Sequence, residues 1–121
     1  MSPAVIAVID DDALFRAAIA SLIRSYDYQT AVFASATEFL ATSRDAVSCI
    51  VSDLQMPDLT GLDLARSLRA AEDPPLILMT AHATPSTHQE AEAAGVRAVL
   101  EKPLAPEVLI AAIQDAISDR A

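Results

Sequence analysis

Five short apolar runs, separated by longer amphipathic stretches, constrain this chain more than any other feature. They are Ala4 to Ile9, Gln29 to Phe33, Val47 to Val51, Leu76 to Met79 and Val96 to Leu100. A strand with one wet face alternates apolar and polar residues, whereas an unbroken Val, Ile and Leu run needs cover on both faces. Helices that join parallel strands by right-handed crossovers provide that cover. The expected fold class is therefore α/β, a doubly wound five-stranded parallel sheet in the order 2-1-3-4-5 flanked by five helices. Gln29 to Phe33 is the most polar run and is expected at an edge.

The stretches between the runs have helical spacing. Phe15, Ile19, Leu22 and Ile23 form a first stripe, with Arg16 and Arg24 turned to water. Ser35 is a candidate N-cap ahead of Phe39-Leu40. Leu64, Ala65 and Leu68 mark a third helix, expected to stop at Pro74-Pro75. Ser86 to Ala94 is helical by its Ala and Glu content and ends at Gly95, but it has no large aliphatic residue and should dock loosely. The last helix has the cleanest stripe: Leu109, Ala112, Ile113, Ala116 and Ile117. With 121 residues and no internal repeat, the chain is expected to be a single domain over 1–121, without an effector domain of its own.

A net charge of −9 argues against direct nucleic-acid binding, which requires clustered Lys and Arg to neutralise phosphates. Although 53% of residues are hydrophobic, no apolar run approaches the ~20 residues of a membrane span. No membrane association is expected. The N-terminal residues lack the basic region and cleavage site of a signal peptide, and the single cysteine, Cys49, reads as a core residue, so a cytoplasmic location is expected.

In doubly wound sheets, function sits at the carboxyl ends of the strands. Asp10, Asp11 and Asp12 follow the first run, Asp53 the third, Thr80-Ala81-His82 the fourth and Lys102 the fifth. In the order 2-1-3-4-5 these converge on one rim, and Lys102 is the only lysine in the chain. Asp12 suits a helix cap. Asp10, Asp11 and Asp53 together do not, because clustered carboxylates repel unless a cation lies among them. Oxygen-only donors favour a hard divalent ion such as Mg²⁺, and one Cys with His82 and His88 six apart makes no zinc site. His82 reads as a solvent-facing loop residue.

Val8-Ile9-Asp10-Asp11-Asp12, Asp53 with Met56-Pro57 and Gly61 downstream, Thr80-Ala81 and Lys102-Pro103 resemble, in order and spacing, the receiver domain of bacterial two-component response regulators. The Leu100-Glu101-Lys102-Pro103 and Phe33-Ala34-Ser35-Ala36 segments are most similar to the FixJ-type subgroup, where a DNA-binding domain usually follows. The resemblance implies a CheY-like, flavodoxin-like fold and a phosphorelay switch. Asp53 would be the phosphoacceptor for a sensor histidine kinase, forming an aspartyl phosphate. Mg²⁺ would be held by Asp11, Asp53, the Gln55 backbone carbonyl and, through water, Asp10. Thr80 and Lys102 would contact the phosphoryl group, and the fourth helix, fifth strand and fifth helix would relay the state. The chain would not be a turnover enzyme, though it would catalyse its own phosphorylation and dephosphorylation. A homodimer on phosphorylation is left open. The implied Lys102-Pro103 bond is cis. Two positions depart from the family: Val99 stands where an aromatic residue is usual, and Leu104 where Phe is more frequent.

Two other readings compete. One is a receiver-like interaction module that signals without phosphorylation. The other is an aspartyl phosphatase, which needs an acid/base carboxylate where this chain has Gln55. Nucleotide binding is disfavoured, because Gly61 and Gly95 are the only glycines.

Overall fold

Strand β1 (Val5–Ile9) shows how the apolar runs work: Ile6 and Val8 point into one cluster and Ala7 and Ile9 into another, all with no exposure. The same period-two division runs through β3 (Val47–Asp53), where Cys49 and Val51 lie opposite Ile50, and through β4 (Leu76–Thr80), where Ile77 and Met79 lie opposite Leu76 and Leu78. Both faces of the sheet are core, which is why these strands lack polar alternation. The computed structural model describes residues 3–68 and 73–120.

With β2 (Gln29–Phe33) and β5 (Ala98–Glu101), the strands form one parallel sheet in the order β2-β1-β3-β4-β5. The most polar run, β2, is an edge strand with Val32 48% exposed. Helices α1 (Ala13–Arg24) and α5 (Pro106–Arg120) cover one face, burying Ile19, Ala20, Ile23, Leu109, Ile110, Ile113 and Ala116. Helices α2 (Ala36–Leu40), α3 (Gly61–Ser67) and α4 (Pro85–Ala93) cover the other. Fully burying one such aliphatic side chain contributes about 1.5–3 kcal/mol, so the α1/α5 stripes are strong determinants of the fold.

The helix starts follow local chemistry. The Asp12 side chain accepts from the backbone N–H groups of Leu14 and Phe15, and that of Ser35 from Glu38. The fourth helix begins one residue earlier than its Ala/Glu content indicates, because Thr84 caps it and Pro85 occupies its first turn, where no N–H is needed. Its end is set by Gly95, at φ +82°. The third helix is shorter than expected: it closes at Ser67, with Leu68 already at ψ 87°. Pro74 and Pro75 lead into β4 instead, where the Pro75 carbonyl accepts from Ile50 N–H. Arg24 stays exposed, with Nη1 donating to Thr30 Oγ1 at 2.9 Å.

Candidate functional site

The sheet register brings Asp10, Asp53, Thr80 and Lys102 to one rim, each at or just beyond a strand end. Asp10 follows β1 and is only 1% exposed. Its backbone N–H donates to Phe33 O at 3.1 Å, its carbonyl accepts from Arg16 Nη1 at 2.7 Å, and its Oδ1 accepts from Asp12 N–H at 2.9 Å. Its Oδ2 is buried without a hydrogen-bond partner. Burial pushes the Asp10 carboxyl above the ordinary aspartate value, and the nearby Asp53 and Asp11 charges push the same way, against the Asp12 hydrogen bond and Lys102.

Asp53 is the last residue of β3, so the strand runs two residues past its apolar run and carries this carboxylate into the rim at 7% exposure. Lys102 Nζ stands 3.0 Å from Asp53 Oδ1 and 4.0 Å from Asp10 Oδ2, the latter beyond hydrogen-bond length. Asp11 is exposed, yet Asp10, Asp11 and Asp53 can each place one oxygen within 4.8 Å of the others. Three carboxylates, with a buried oxygen lacking any donor, fit a hard divalent cation. Gln55, two residues past Asp53, is exposed at the start of the following loop.

The loop from Asp53 to α3 is shaped by close packing. Gly61 N–H donates to Leu54 O at 2.9 Å, and a Cβ on Gly61 would lie 2.5 Å from Leu78 Cδ2 and 2.6 Å from the Asp53 carbonyl oxygen. Glycine is required by this approach to the loop that follows Asp53. Asp58 holds a left-handed φ of +69°, which a short polar side chain tolerates better than most. On the other side, Thr80 ends β4 at 1% exposure; its hydroxyl accepts from His82 N–H at 3.2 Å and its carbonyl from Lys102 N–H at 2.8 Å. The Lys102-Pro103 peptide is cis. His82 is exposed, Cys49 is buried in the core, and Val99 is half-buried against the α2/α3/α4 cluster.

Three contributors escaped the sequence reading. Arg16 is not left to water: it is half-buried and clamps the Asp10 carbonyl, because the helix that begins at Asp12 turns this position back over the end of β1. Glu101 Oε2 accepts from Ala83 N–H at 3.1 Å and so ties the Thr80 loop to the end of β5. Phe15, read as a core stripe residue, also lies under the Lys102 ammonium, 4.3 Å from Nζ to the ring centroid. Only the spacing of Arg16, one turn into the helix after the acidic triplet, offered a sequence signal.

Residues 6–114 match the response regulator receiver domain family. The chain belongs to it. The transcriptional regulatory protein FixJ of Bradyrhizobium diazoefficiens is 37% identical over 112 residues, covering 91% of this chain and 55% of FixJ. The response regulator protein TodT of Pseudomonas putida is 35% identical over 115 residues, covering 93% of this chain and 51% of TodT. The chain thus spans about half the length of these curated relatives. Among solved structures, FixJ-N superposes with a TM-score of 0.86 at 30% identity, covering 98% of this chain and 96% of that one. The chemotaxis protein CheY4 of Vibrio cholerae gives 0.86 at 27%, covering 94% and 98%. This receiver domain is of the phosphorylation-type, two-component signalling family; its strand order is the one expected from its apolar runs, and its CheY-like fold the one the resemblance implied. None of its described helices is long and apolar enough to cross a membrane.

Proposed function

We propose that Asp53 accepts a phosphoryl group from a phosphohistidine of a sensor histidine kinase. The observation that carries this reading is the Lys102 ammonium 3.0 Å from Asp53 Oδ1, beside the unpartnered Oδ2 of Asp10. In the transfer, an Asp53 carboxylate oxygen forms the new P–O bond as the P–N bond breaks, and the electron pair leaves on the imidazole nitrogen. Such transfer depends mostly on positioning and on neutralising oxygen charge. Mg²⁺ bound by Asp11, Asp53, the Gln55 carbonyl and, through water, Asp10 would offset the charge on the phosphoryl oxygens.

The protein groups do the rest. Lys102 presents a compact point charge to the acceptor oxygen and to the oxygens that arrive there. The Thr80 hydroxyl, already tied to the His82 backbone, couples the group it contacts to the shape of its own loop. That loop leads into α4, whose only buried residue is Ala91, so the face formed by α4, β5 and α5 is the route by which the modified state reaches a partner. The chain is then a self-modifying switch rather than a turnover enzyme.

The test is intact mass after incubation with acetyl phosphate, with and without Mg²⁺, for the wild type and Asp53→Asn. The expected result is a Mg²⁺-dependent gain of one phosphoryl group that is absent from the variant. An unmodified wild type, with a spectrum that beryllofluoride also leaves unchanged, would overturn the reading in favour of a module that signals without phosphorylation.

A further inference from the structure

Lys102 is held at both ends. Its backbone N–H donates to Thr80 O at 2.8 Å, while its Nζ meets Asp53 Oδ1 at 3.0 Å. Between these points lies a flexible stem carrying three rotatable donors, and a second carboxylate competes for them. Asp10 Oδ2 is buried without a hydrogen-bond partner, 4.0 Å from Nζ. Coulomb attraction alone would let the ammonium slide from Asp53 toward that oxygen. A third group occupies another side of Nζ: the ring of Phe15, with its centroid 4.3 Å away. That is inside the ~6 Å over which an ammonium is attracted to the negative face of an aromatic ring.

We propose that Phe15 is a positioning residue for Lys102, its ring face keeping the ammonium against Asp53 rather than Asp10 and so setting the rate at which Asp53 is phosphorylated. The inference rests on the reading of Asp53 as phosphoacceptor. Phe15 is fixed for the task by the same contact that starts its helix: its backbone N–H donates to the Asp12 cap at 3.1 Å, and its ring packs against the α1/α5 core. The neighbouring Leu14, 86% exposed, makes no comparable packing. Leucine at position 15 would preserve apolar contact with the core but offer no π-face, whereas tyrosine would keep the face.

Because Lys102 is the only lysine, protein labelled with ¹³C,¹⁵N-lysine gives one side-chain spin system. In the wild type and Phe15→Tyr, the Cε methylene protons are expected upfield of the free-lysine position through the ring current, and in Phe15→Leu close to it. With acetyl phosphate and Mg²⁺, Phe15→Leu is expected to gain its phosphoryl group about two- to fivefold more slowly, and Phe15→Tyr at the wild-type rate. An unshifted Cε signal in the wild type, or a wild-type phosphorylation rate in a folded Phe15→Leu protein, overturns the proposal. A wild type that takes no phosphoryl group overturns the phosphoacceptor reading and the rate effect with it; a shifted lysine signal in that same sample would still establish the ring–ammonium contact.

Discussion

The two faces of the sheet are closed by different means. On one, α1 and α5 are 12 and 15 residues long and bury Ile19, Ile23, Leu109, Ile110 and Ile113. On the other, α2, α3 and α4 have 5, 7 and 9 residues, and α4 buries a single alanine, Ala91. The first face derives its stability from large aliphatic side chains and also supplies Phe15 beneath Lys102. The second holds the loops that follow Asp53 and Thr80; α2 and α3 bury Phe39, Leu62 and Leu64 there, whereas α4, which follows the Thr80 loop, has its Thr84 cap and little buried volume. A segment with little buried area opens at a low free-energy cost. The long-helix face therefore supplies rigidity, and the short-helix face, through α4, supplies the part that opens most easily.

The largest effect should come from striking at that asymmetry directly. Leu109→Ala removes a fully buried side chain from the α5 stripe and should lower the unfolding free energy by about 3 kcal/mol. Ala91→Gly, which removes the only buried side chain of α4, should cost about 1 kcal/mol, mostly through helix propensity. Urea unfolding of the two variants at equal m-value makes the comparison. Equal losses would mean that α4 is docked as firmly as α5, and the division between a rigid and a responsive face would fail.

This asymmetry was legible in the sequence to an unusual depth, because it resides in side-chain size. The five apolar runs and the stripe from Leu109 to Ile117 indicated both core and topology, and the absence of any large aliphatic residue from the fourth helix indicated its weak docking. The positions of Asp10, Asp11, Asp53 and Lys102 on one rim were also legible, since charge after an apolar strand stands out against it, and that of Thr80 followed from its place at the end of the fourth run. What stayed hidden depends on orientation. Arg16 and Phe15 occupy ordinary helix positions, and only the entry angle of α1 swings one onto the Asp10 carbonyl and the other beneath Lys102. Glu101 reaches Ala83 across 18 residues of chain, a contact that no local pattern encodes. The early end of α3 belongs to the same class: the conspicuous Pro74-Pro75 signal lay beyond the helix it was expected to stop.

Where the two faces meet, the rim carries an electrostatic cost that belongs to neither. The Asp10 carboxylate is desolvated, has one oxygen without a donor and sits near two other carboxylates. Asp10→Asn removes the like-charge repulsion while retaining an oxygen for Asp12 N–H. It should raise the unfolding free energy at pH 7, without divalent ion, by about 1 kcal/mol, and the same change should weaken Mg²⁺ binding measured by titration calorimetry. Destabilisation in the ion-free protein would show that Lys102 already compensates Asp10 in full, and the rim would then count as part of the stable face.

The smallest effect should distinguish how a short helix is held from how a long one is. At the start of α3, Thr60 Oγ1 accepts from Asp63 N–H at 3.1 Å while Asp63 Oδ2 accepts from Thr60 N–H at 3.0 Å, closing a capping box. The backbone hydrogen bond from Thr60, followed by its side-chain bond, holds the Asp63 carboxyl below the ordinary value of 3.8, with Arg66 adding in the same direction and desolvation opposing. A carboxyl with a lowered folded-state pKa contributes stability that is fully present above its unfolded value and lost as pH falls through the folded one. The Asp63 contribution is therefore intact at pH 7 and fades below about 3.8. Asn at this position still accepts from Thr60 N–H but carries no titrating charge. Asp63→Asn should therefore lower neutral-pH stability slightly and make the acid limb of the unfolding curve shallower, the two proteins converging as pH falls below about 3.8. Superimposable acid limbs in the two proteins would show that the cap charge contributes nothing, and that α3, like α5, is held by its buried residues, Leu62, Leu64 and Ala65.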